Sequence, residues 1–557
     1  MKIGKTTYLL ISVFLIGLFH NSSAQRTLGL LNKTTEVAEG YTLFSPINSK
    51  EAFLIDNCGF LINKWQTNHV PGQTAYLLPN GDLLRTGRVS GFFTGGGVGG
   101  KIEIYDWDGN LKWSVTLADE KMHQHHIAHP MPNGNILTAV WYKYSKEEAI
   151  QKGFKPDKLT NGGIWSDRIL ELKPLPDNKV EIVWQWDFWD HTIQNLDPLK
   201  NEFGVVSNHP ELLDVNFFED PGANDSEWIH LNSLDYHPEL DQILLSSKYH
   251  NEIYIIDHST SIAEAKSHSG GKYGKGGDFL YRWGNPRSYG RGDQSKHWLF
   301  GQHDVQWIDK GLPGENKILL FNNGSNRLDE LYSSVEVIQP PLNENGAYTL
   351  IPNKAFGPDF PEWKYQSEPR TDFYSSRISG AQRLKNGNTL ICEGNKGNFF
   401  EVNMAGNLVW KYENPINNFG AGTQGSIPFN NEVFKISKYP IDYSAFVDKS
   451  ISGNKTLEEN IDAFECLGTS HVMNISKENG NILTSFPNPA ESEIHIDTHT
   501  NKTYAYKIID LLGRTLIKGT IVGNDTLDIS SINSGTYILQ IKNILSSKLQ
   551  NLKFIKM

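Results

Sequence analysis

A repeated strand–turn–strand layout limits what this chain can fold into. Between about residue 40 and residue 448, a strand-like run headed by a polar residue leads through a turn rich in Asn and Gly into a second apolar run. Asn-Gly between apolar runs is the strongest short-range hairpin signal. The repeat therefore predicts a series of antiparallel hairpins. The polar heads of five repeats are Gln73, His126, His230, His303 and Ser379.

Tryptophans at strand ends divide the same region into units. Trp65 and Trp113 are 48 residues apart, and Trp363 and Trp410 are 47 apart. A four-stranded propeller blade needs roughly 40–50 residues, so these two intervals fit one blade each. The other intervals are longer and predict loop insertions. The six strand-ending tryptophans are Trp65, Trp113, Trp184, Trp283, Trp363 and Trp410.

A propeller suits such a repeat. A four-stranded unit has two apolar faces that it cannot bury alone, and radial packing buries both faces while leaving only short edges. Helical periodicity is scarce, which disfavours the crossovers that a parallel sheet needs. The sequence predicts an all-β chain in which residues 25–448 form a six-bladed β-propeller. The heads of its innermost strands would meet at one mouth of a central channel.

Composition excludes several other classes of protein. The formal net charge of −11 gives no electrostatic support for binding nucleic acid. The aromatic share of 11% fits a strand-rich chain. The three cysteines, Cys58, Cys392 and Cys466, form no close pair, so we expect buried thiols and neither a disulfide scaffold nor a cysteine-based zinc site.

The N-terminus predicts export. Lys2 and Lys5 precede an apolar run at 8–19, and small residues end at Ala24, as in a secretory signal peptide spanning 1–24. That run is too short to cross a bilayer comfortably, and no later run is long enough. The mature protein is therefore expected outside the cytoplasm, reached through the periplasm, with no transmembrane segment. Residues 449–481 are polar and predict a linker.

The last segment, 482–557, alternates apolar and polar residues and predicts a small β-sandwich near the lower size limit for independent folding. It resembles the type A C-terminal sorting domain of the bacterial type IX secretion system. The resemblance implies that type IX secretion machinery exports the protein across the outer membrane and that the domain is then removed. The matching runs are 486–489 (Phe-Pro-Asn-Pro), 510–514 (Asp-Leu-Leu-Gly-Arg), 534–537 (Ser-Gly-Thr-Tyr) and 553–556 (Lys-Phe-Ile-Lys).

Three histidines and an arginine are candidates for chemistry. His126, His230 and His303 head equivalent strands, and Arg327 follows the second strand of the His303 repeat. Imidazole and guanidinium groups donate charge-assisted hydrogen bonds to the oxygens of a tetrahedral anion. An imidazole can also act as nucleophile or general base near neutral pH. The sequence predicts that these side chains share one site at the mouth of the channel.

Several runs between about residue 39 and residue 448 match one known family. They are 39–44, 95–100 with 105–109, 125–126 with 132–135, 228–233, 302–304 and 378–383. In these runs the chain resembles the bacterial arylsulfate sulfotransferases. That resemblance implies a six-bladed propeller that transfers a sulfuryl group from an aryl sulfate to a phenol through a sulfohistidine, without a nucleotide sulfate donor and with no cofactor.

The resemblance places the family's channel histidines at His230 and His303 and its arginine at Arg327. The family's nucleophile corresponds to Ser379, and no histidine lies between His303 and His471. Either His126, His230 or His303 is then the nucleophile, or the chemistry is different or lost. The expected substrate-binding residues are Asn232, Asn322 and Ser379.

Two other functions stay open. One is a metal- or quinone-dependent propeller enzyme, and the other is a non-catalytic binding propeller on the cell surface, with which Ser379 is compatible. The run from Gly95 to Lys101 matches a phosphate loop, but Ile102 replaces the required Ser or Thr, so we expect a glycine-rich loop. A cluster of four histidines lies within 123–129, and no metal is expected there because alternate strand residues face opposite ways.

Overall fold

The computed structural model describes residues 26–159, 162–219, 226–459, 466, 484–486, 490–497, 502–510, 514–543 and 549–556. The predicted signal peptide lies outside these residues. Contacts between residues divide the chain into two compact units, Met1–Gly468 and Thr469–Met557. No helix among the described residues combines the length and the apolar character that a membrane crossing needs.

Strands dominate the described residues of the first unit, which also include two short α-helices, α1 (Lys146–Lys152) and α2 (Ile262–Ala265). Short 3₁₀ turns span Pro156–Lys158, Phe188–Asp190, Val206–Asn208, Pro286–Tyr289, Gln294–Lys296, Arg370–Asp372, Gly394–Lys396 and Ser444–Phe446. The strands are, in chain order, β1 Gly29–Lys33, β2 Tyr41–Pro46, β3 Glu51–Ile55, β4 Leu61–Gln66, β5 Pro71–Leu77, β6 Leu83–Arg88, β7 Gly100–Tyr105, β8 Leu111–Thr116, β9 Met122–Pro130, β10 Ile136–Ser145, β11 Gly163–Leu175, β12 Lys179–Asp187, β13 Thr192–Ile193, β14 Leu213–Asp214, β15 Leu231–His237, β16 Gln242–Ser247, β17 Glu252–Asp257, β18 Tyr281–Trp283, β19 His303–Trp307, β20 Ile318–Asn322, β21 Ser334–Ile338, β22 Trp363–Tyr365, β23 Gly380–Arg383, β24 Thr389–Glu393, β25 Asn398–Val402, β26 Leu408–Glu413, β27 Ile416–Asn417, β28 Gly420–Ala421 and β29 Val433–Tyr439.

Six antiparallel sheets of four or five strands account for most of the described part of this unit. Their strand orders are β29-β2-β3-β4, β5-β6-β7-β8, β9-β10-β11-β12, β15-β16-β17-β18, β19-β20-β21-β22 and β23-β24-β25-β26-β1. The first strand of each sheet contacts the first strand of the next, and β29 contacts both β23 and β5. The six first strands therefore form a closed cycle of contacts.

The two ends of the unit complete each other's sheets. β29, near the end of the unit, pairs with β2 and opens the sheet that β2, β3 and β4 continue. β1 pairs with β26 and adds a fifth strand to the last sheet. This exchange closes the cycle with hydrogen-bonded backbone from both ends of the unit.

The six strand-ending tryptophans join neighbouring sheets. Each indole Nε1–H donates to an oxygen in or beside the connection between the third and fourth strands of the following sheet, at 2.8 to 3.3 Å. Trp410 donates to the carbonyl of Asn57 and so joins the last sheet to the first. The other five bonds run from Trp65 to Asp106, Trp113 to Lys179, Trp184 to Thr260, Trp283 to Pro358 and Trp363 to Met404.

The expectation of three buried thiols is wrong for two of the cysteines. Cys58 and Cys466 form a disulfide, whereas Cys392 is a buried free thiol. The two bonded residues are 408 positions apart, so their spacing gave no sign of the pairing. The chain returns to the first sheet before Cys466, because Leu61 N–H donates to the carbonyl of Lys455 at 2.8 Å.

The described residues of the second unit form two sheets, β30-β31-β34 and β33-β32-β35-β36. Apolar side chains from both sheets, including Ile494, Ile508 and Leu539, belong to one buried cluster. Most of the predicted sorting motifs lie within these strands, but Pro487–Pro489 and Leu511–Gly513 lie outside the described residues. The strands are β30 Thr484–Phe486, β31 Glu493–Asp497, β32 Thr503–Asp510, β33 Thr515–Val522, β34 Asp525–Asp528, β35 Gly535–Asn543 and β36 Leu549–Lys556.

Replacing Trp410 by Phe tests the importance of the indole bonds. Trp410 is fully buried, so Trp410→Phe leaves the carbonyl of Asn57 without its donor. An unsatisfied buried polar group costs about 1–3 kcal/mol, and we expect a loss of that size in the free energy of unfolding. Trp363→Phe is the control, since its indole is only partly buried. Denaturant unfolding of both variants makes the comparison, and an equal loss would contradict the importance of the closing bond.

Candidate functional site

The heads of the first strands share an unusual backbone. Gln73, His126, His230 and Ser379 have positive φ, at 121°, 51°, 53° and 87°, and in the His303 repeat the positive φ of 49° belongs to the next residue, Asp304. Residues with a side chain adopt this region rarely and at a cost, and such strain clusters at functional sites. At four of the five heads the strand pairing also shifts register, as bulges do when they redirect a side chain. The repeat therefore presents its head residues in similar local geometry.

The structure brings His126, His230 and His303 together. The ring centroids of His126 and His230 are 5.0 Å apart in a T-shaped arrangement. The ring of Phe434, from β29, lies near two of the histidines. Its centroid is 5.7 Å from that of His126 and 6.2 Å from that of His303. All three histidines are nearly buried, with exposed fractions of 3%, 6% and 2% for His126, His230 and His303.

A chain of polar contacts fixes the tautomer of His126. The Nε2 of His125 lies against Oδ1 of Asp167, a carboxyl whose pKa is raised by burial and lowered in part by His125. When Asp167 is ionised it only accepts, so Nε2 of His125 then carries a hydrogen. The Nδ1 of a neutral His125 is then an acceptor, and it lies 2.9 Å from Nδ1 of His126. In that state His126 donates from Nδ1, which leaves its Nε2 as a lone pair. Among the described residues, this Nε2 has no hydrogen-bond partner.

Burial keeps the His126 imidazole neutral. Loss of solvent lowers its pKa well below the ordinary histidine value, and charge on the neighbouring His230 and Lys248 lowers it further. A neutral imidazole with a fixed tautomer is a nucleophile that needs no prior deprotonation. The backbone carbonyl of His126 also accepts from the hydroxyls of Thr74 at 3.2 Å and Thr86 at 3.4 Å, which holds the strand head in place.

His230 pairs with a buried carboxyl group. Its Nδ1 lies 2.7 Å from Oε1 of Glu227, and the other oxygen of that carboxylate accepts from the Tyr249 hydroxyl at 3.2 Å. Burial opposes ionisation of Glu227, but His230 outweighs it and holds the pKa of Glu227 below its ordinary value. With Glu227 at Nδ1, the Nε2 of His230 is left free of that pairing and can exchange a proton with a neighbouring oxygen.

His303 has both ring nitrogens in use. Its Nδ1 donates toward the Gly301 carbonyl at 2.9 Å and Oδ1 of Asn323 at 2.7 Å. Its Nε2 accepts from the backbone N–H of Ile378 at 3.3 Å. Burial lowers the pKa of His303 to about 3, so the ring is neutral. This histidine is better placed to position its neighbours than to attack a substrate.

The glycine-rich run at 95–100 lies directly on the imidazoles. A Cβ on Gly97 would stand 1.9 Å from Cε1 of His126, and one on Gly96 would stand 3.3 Å from Cε1 of His230. The carbonyl of Gly97 also accepts from the N–H of His126 at 2.8 Å. These close approaches explain why the run needs glycine, and they support the expectation of a glycine-rich loop.

Arg327 does not join the histidines. Its guanidinium stacks on the rings of Tyr332 at 4.3 Å and Phe300 at 4.9 Å, and its Nε donates to the Tyr332 carbonyl at 3.3 Å. Lys248, directly after β16, supplies positive charge near both His126 and His303. Asn323 occupies the equivalent position after β20, so this position in the repeat is the signal that could have identified both residues.

The three expected substrate-binding residues are fully buried and hydrogen-bonded to neighbouring segments. Asn232 donates to the Gln302 carbonyl at 2.6 Å. Asn322 accepts from the N–H of Phe300 at 3.0 Å. The Ser379 hydroxyl accepts from Gly394 N–H at 2.9 Å and donates toward the Ser375 hydroxyl at 2.9 Å. Their polar atoms thus support the backbone near the site.

The histidines of β9 do not converge on one ion position. His125 contacts Asp167, whereas Nε2 of His129 lies 3.6 Å from Oδ1 of Asp235. Burial lowers the pKa of His129 to about 3 and raises the pKa of Asp235 to about 7. His125 and His129 therefore meet different carboxylates.

Comparison with known families gives two matches. A family model described as arylsulfotransferase (ASST) matches residues 31–424, and one described as a secretion system C-terminal sorting domain matches residues 484–556. The sorting domain indicates a secreted or cell-surface protein. No curated protein matches the chain.

Solved structures give only loose likenesses. A protein of unknown function from Bacteroides caccae has a TM-score of 0.38 at 10% identity, covering 72% of this chain and 99% of its own. Streptogramin B lyase has a TM-score of 0.32 at 10% identity, with 75% and 94% covered. Apo AztD from Citrobacter koseri has a TM-score of 0.30 at 9% identity, with 72% and 98% covered.

Adding a methyl group to Gly97 tests the packing of the loop on His126. Gly97→Ala should destabilise the protein more than Gly109→Ala by about 1–3 kcal/mol, the usual cost of overpacking. Gly109 is the matched control because it has a similar φ, +87° against +80°, with nothing within 4 Å of the added Cβ. Thermal unfolding compares the two variants, and equal losses would show that the loop does not press on the ring.

Proposed function

Because the chain belongs to the arylsulfotransferase family, we propose that it transfers a sulfuryl group from an aryl sulfate to a phenolic acceptor through a histidine nucleophile, without a nucleotide donor. The observation that carries the proposal is the chain of contacts from Asp167 through His125 to His126. It leaves Nε2 of a neutral imidazole as a lone pair beside His230.

We also propose the architecture that the repeat predicts. The six sheets would be the blades of a six-bladed β-propeller, which the cycle of strand contacts and the cycle of indole bonds both support. Residues 482–557 would form a small β-sandwich, supported by the apolar cluster that its two sheets share. Type IX secretion machinery would export the protein and remove this domain.

In the first step His126 attacks the sulfur of the aryl sulfate. A bond forms between Nε2 of His126 and sulfur, and the bond between sulfur and the aryl oxygen breaks. The imidazolium of His230 gives its Nε2 proton to the departing phenolate, which leaves as a neutral phenol. Glu227 holds the other nitrogen of His230 in place during this transfer.

The enzyme then carries the sulfuryl group on His126. The attacking ring becomes positively charged, and Asp167 opposes that charge through His125, as a buried carboxylate does for a catalytic imidazole. Lys248 supplies positive charge toward the sulfuryl oxygens. His303, held by Asn323 and Ile378, fixes the far side of the site.

The second step reverses the first with a new phenol. Neutral His230 takes the proton of the acceptor hydroxyl, and the acceptor oxygen attacks sulfur. The bond between nitrogen and sulfur breaks, so His126 regains its lone pair and His230 is again an imidazolium. Ping-pong kinetics follow, because the first product leaves before the acceptor reacts.

We assign the role of nucleophile to His126 because the other candidate groups already make hydrogen bonds within the protein. The lone pair of His303 accepts a hydrogen bond from a backbone N–H, and the Ser379 hydroxyl is bonded to both Gly394 and Ser375.

His126 and His230 are nearly buried beneath the glycine run at 95–100, so a substrate must displace that run to reach them. The same burial favours the second candidate function, a binding propeller without turnover, in which an aryl sulfate binds and remains intact.

Kinetics of single variants test the assignment. With a chromogenic aryl sulfate and a phenol acceptor, His126→Ala should reduce kcat by at least about 10³-fold, as loss of a nucleophile does. Asp167→Asn should lower kcat while changing KM little, because it alters the tautomer and not the binding surface. His209→Ala, at an exposed ion pair with Glu211, is the control and should keep full activity. Full activity in His126→Ala would refute the proposal.

The pH profile tests the neutrality of the nucleophile. A histidine with the ordinary pKa of about 6.5 loses its lone pair as the pH falls through that value. Since burial lowers the pKa of His126, protonation comes at lower pH, and the acid limb of kcat/KM should lie well below pH 6. Rates from about pH 4 to 8, with recovery of activity on return to pH 7 as the folding control, make the measurement. An acid limb centred near pH 6.5 would contradict it.

A further inference from the structure

A second group of possible metal ligands lies outside the site described above. His191 directly follows the 3₁₀ turn Phe188–Asp190, and His268 and Asp278 belong to the connection between α2 and β18. One ligand atom from each of the three residues lies within 4.8 Å of the others. We propose that His191, His268 and Asp278 bind a divalent transition-metal ion, with Zn²⁺ as the best fit.

Both imidazoles converge on a single carboxylate oxygen. Oδ1 of Asp278 lies 2.8 Å from Nδ1 of His191 and 2.8 Å from Nδ1 of His268. The two rings are nearly perpendicular, with centroids 5.9 Å apart and planes at 89°. Two nitrogens from different segments are thus directed at one point beside a carboxylate.

The hydrogen bonds of His191 favour a cation at that point. Its Nε2 lies 2.9 Å from the Ala265 carbonyl, which can only accept, so Nε2 carries a hydrogen. In the neutral ring Nδ1 is then a lone pair facing a carboxylate oxygen. Two facing lone pairs repel unless a cation lies between them, either a second proton on the ring or a metal ion. A metal ion satisfies both groups with His191 in its neutral form.

The surroundings of His191 orient it as metal-bound histidines are oriented. Such histidines donate their other ring N–H to a carbonyl or carboxylate, which fixes the tautomer and the ring plane. The Trp186 ring stacks on His191 with an interplanar angle of 2° at 5.2 Å. A Cβ on Gly277 would stand 2.5 Å from Nε2, so only glycine leaves room for the ring.

The donor set selects the class of metal. Two imidazoles and one carboxylate suit Zn²⁺ and its first-row neighbours, whereas Mg²⁺ and Ca²⁺ prefer oxygen ligands. Ligand atoms about 2.0–2.2 Å from a tetrahedral ion are roughly 3.3 Å apart, somewhat wider than the hydrogen-bond distances here. His268 can supply that shift because 52% of its side chain is exposed. Its exposure also leaves water access to the remaining coordination positions.

A bound ion would join two connecting segments from neighbouring sheets. His191 lies just after β12, the last strand of the third sheet. The other two ligands lie in the long connection that precedes β18, the last strand of the fourth sheet. The connection from 266 to 280 contains five glycines and so gains order from a fixed point. The site therefore stabilises the protein and takes no part in the proposed sulfuryl transfer.

Metal titration of the whole protein tests this site. Protein prepared without a histidine tag and treated with a chelator is titrated with Zn²⁺ in a calorimeter, and its thermal unfolding is followed with and without the ion. We expect one equivalent of Zn²⁺ to bind and to raise Tm. His268→Ala and Asp278→Asn should each weaken binding at least about 10-fold, since even outer partners of a metal site contribute that much. The control His209→Ala should bind as the wild type does.

Two results would overturn the proposal. The first is no binding of Zn²⁺ by the wild type, and the second is equal binding by the wild type and His268→Ala. The His268 side chain is half exposed, so that variant should fold even if Asp278→Asn does not. Sulfuryl transfer measured on the same samples should be unchanged in His268→Ala, which separates this site from the histidines of the first strands.

Discussion

Six indole hydrogen bonds between neighbouring sheets hold the first unit in a closed arrangement. Each buried or half-buried N–H finds its acceptor only in the next sheet, so one sheet cannot rotate away without leaving a donor and an acceptor unpaired, at about 1–3 kcal/mol for the pair. The bond from Trp410 to Asn57 completes the cycle where strands from both ends of the unit interleave. The same cycle of contacts brings the heads of the first strands close to one another.

The candidate site follows from that placement and from strain in the backbone. His126 and His230 both have left-handed φ, a conformation that persists only where surrounding contacts enforce it. The hydroxyls of Thr74 and Thr86 and the carbonyl of Gly97 provide such contacts at His126. Burial then keeps the ring neutral, while His125 and Asp167 set which nitrogen holds the lone pair. Neutrality and orientation therefore have separate causes in this structure.

Much of this could be predicted from the sequence, because repetition makes local signals reliable. The six tryptophans mark the units, and the histidine heads mark the residues that meet. His125 could not be assigned, since strand alternation places it on the face opposite His126, and only the bulge brings their Nδ1 atoms to 2.9 Å. Asp167 lies two strands away in the same sheet, so finding it required the pairing register. Cys466 reaches Cys58 only after the chain has passed through every sheet of the unit.

In the proposed mechanism, His126 carries the sulfuryl group between the two half-reactions. The most direct measurement is to mix the protein with an aryl sulfate in the absence of acceptor, stop the reaction, digest the protein and locate the added sulfuryl group by mass spectrometry. The account predicts the group on the peptide that contains residue 126, absent after His126→Ala and slower to form after Asp167→Asn. A sulfuryl group on His230 or His303 instead, or unchanged labelling of the His126→Ala protein, would contradict it.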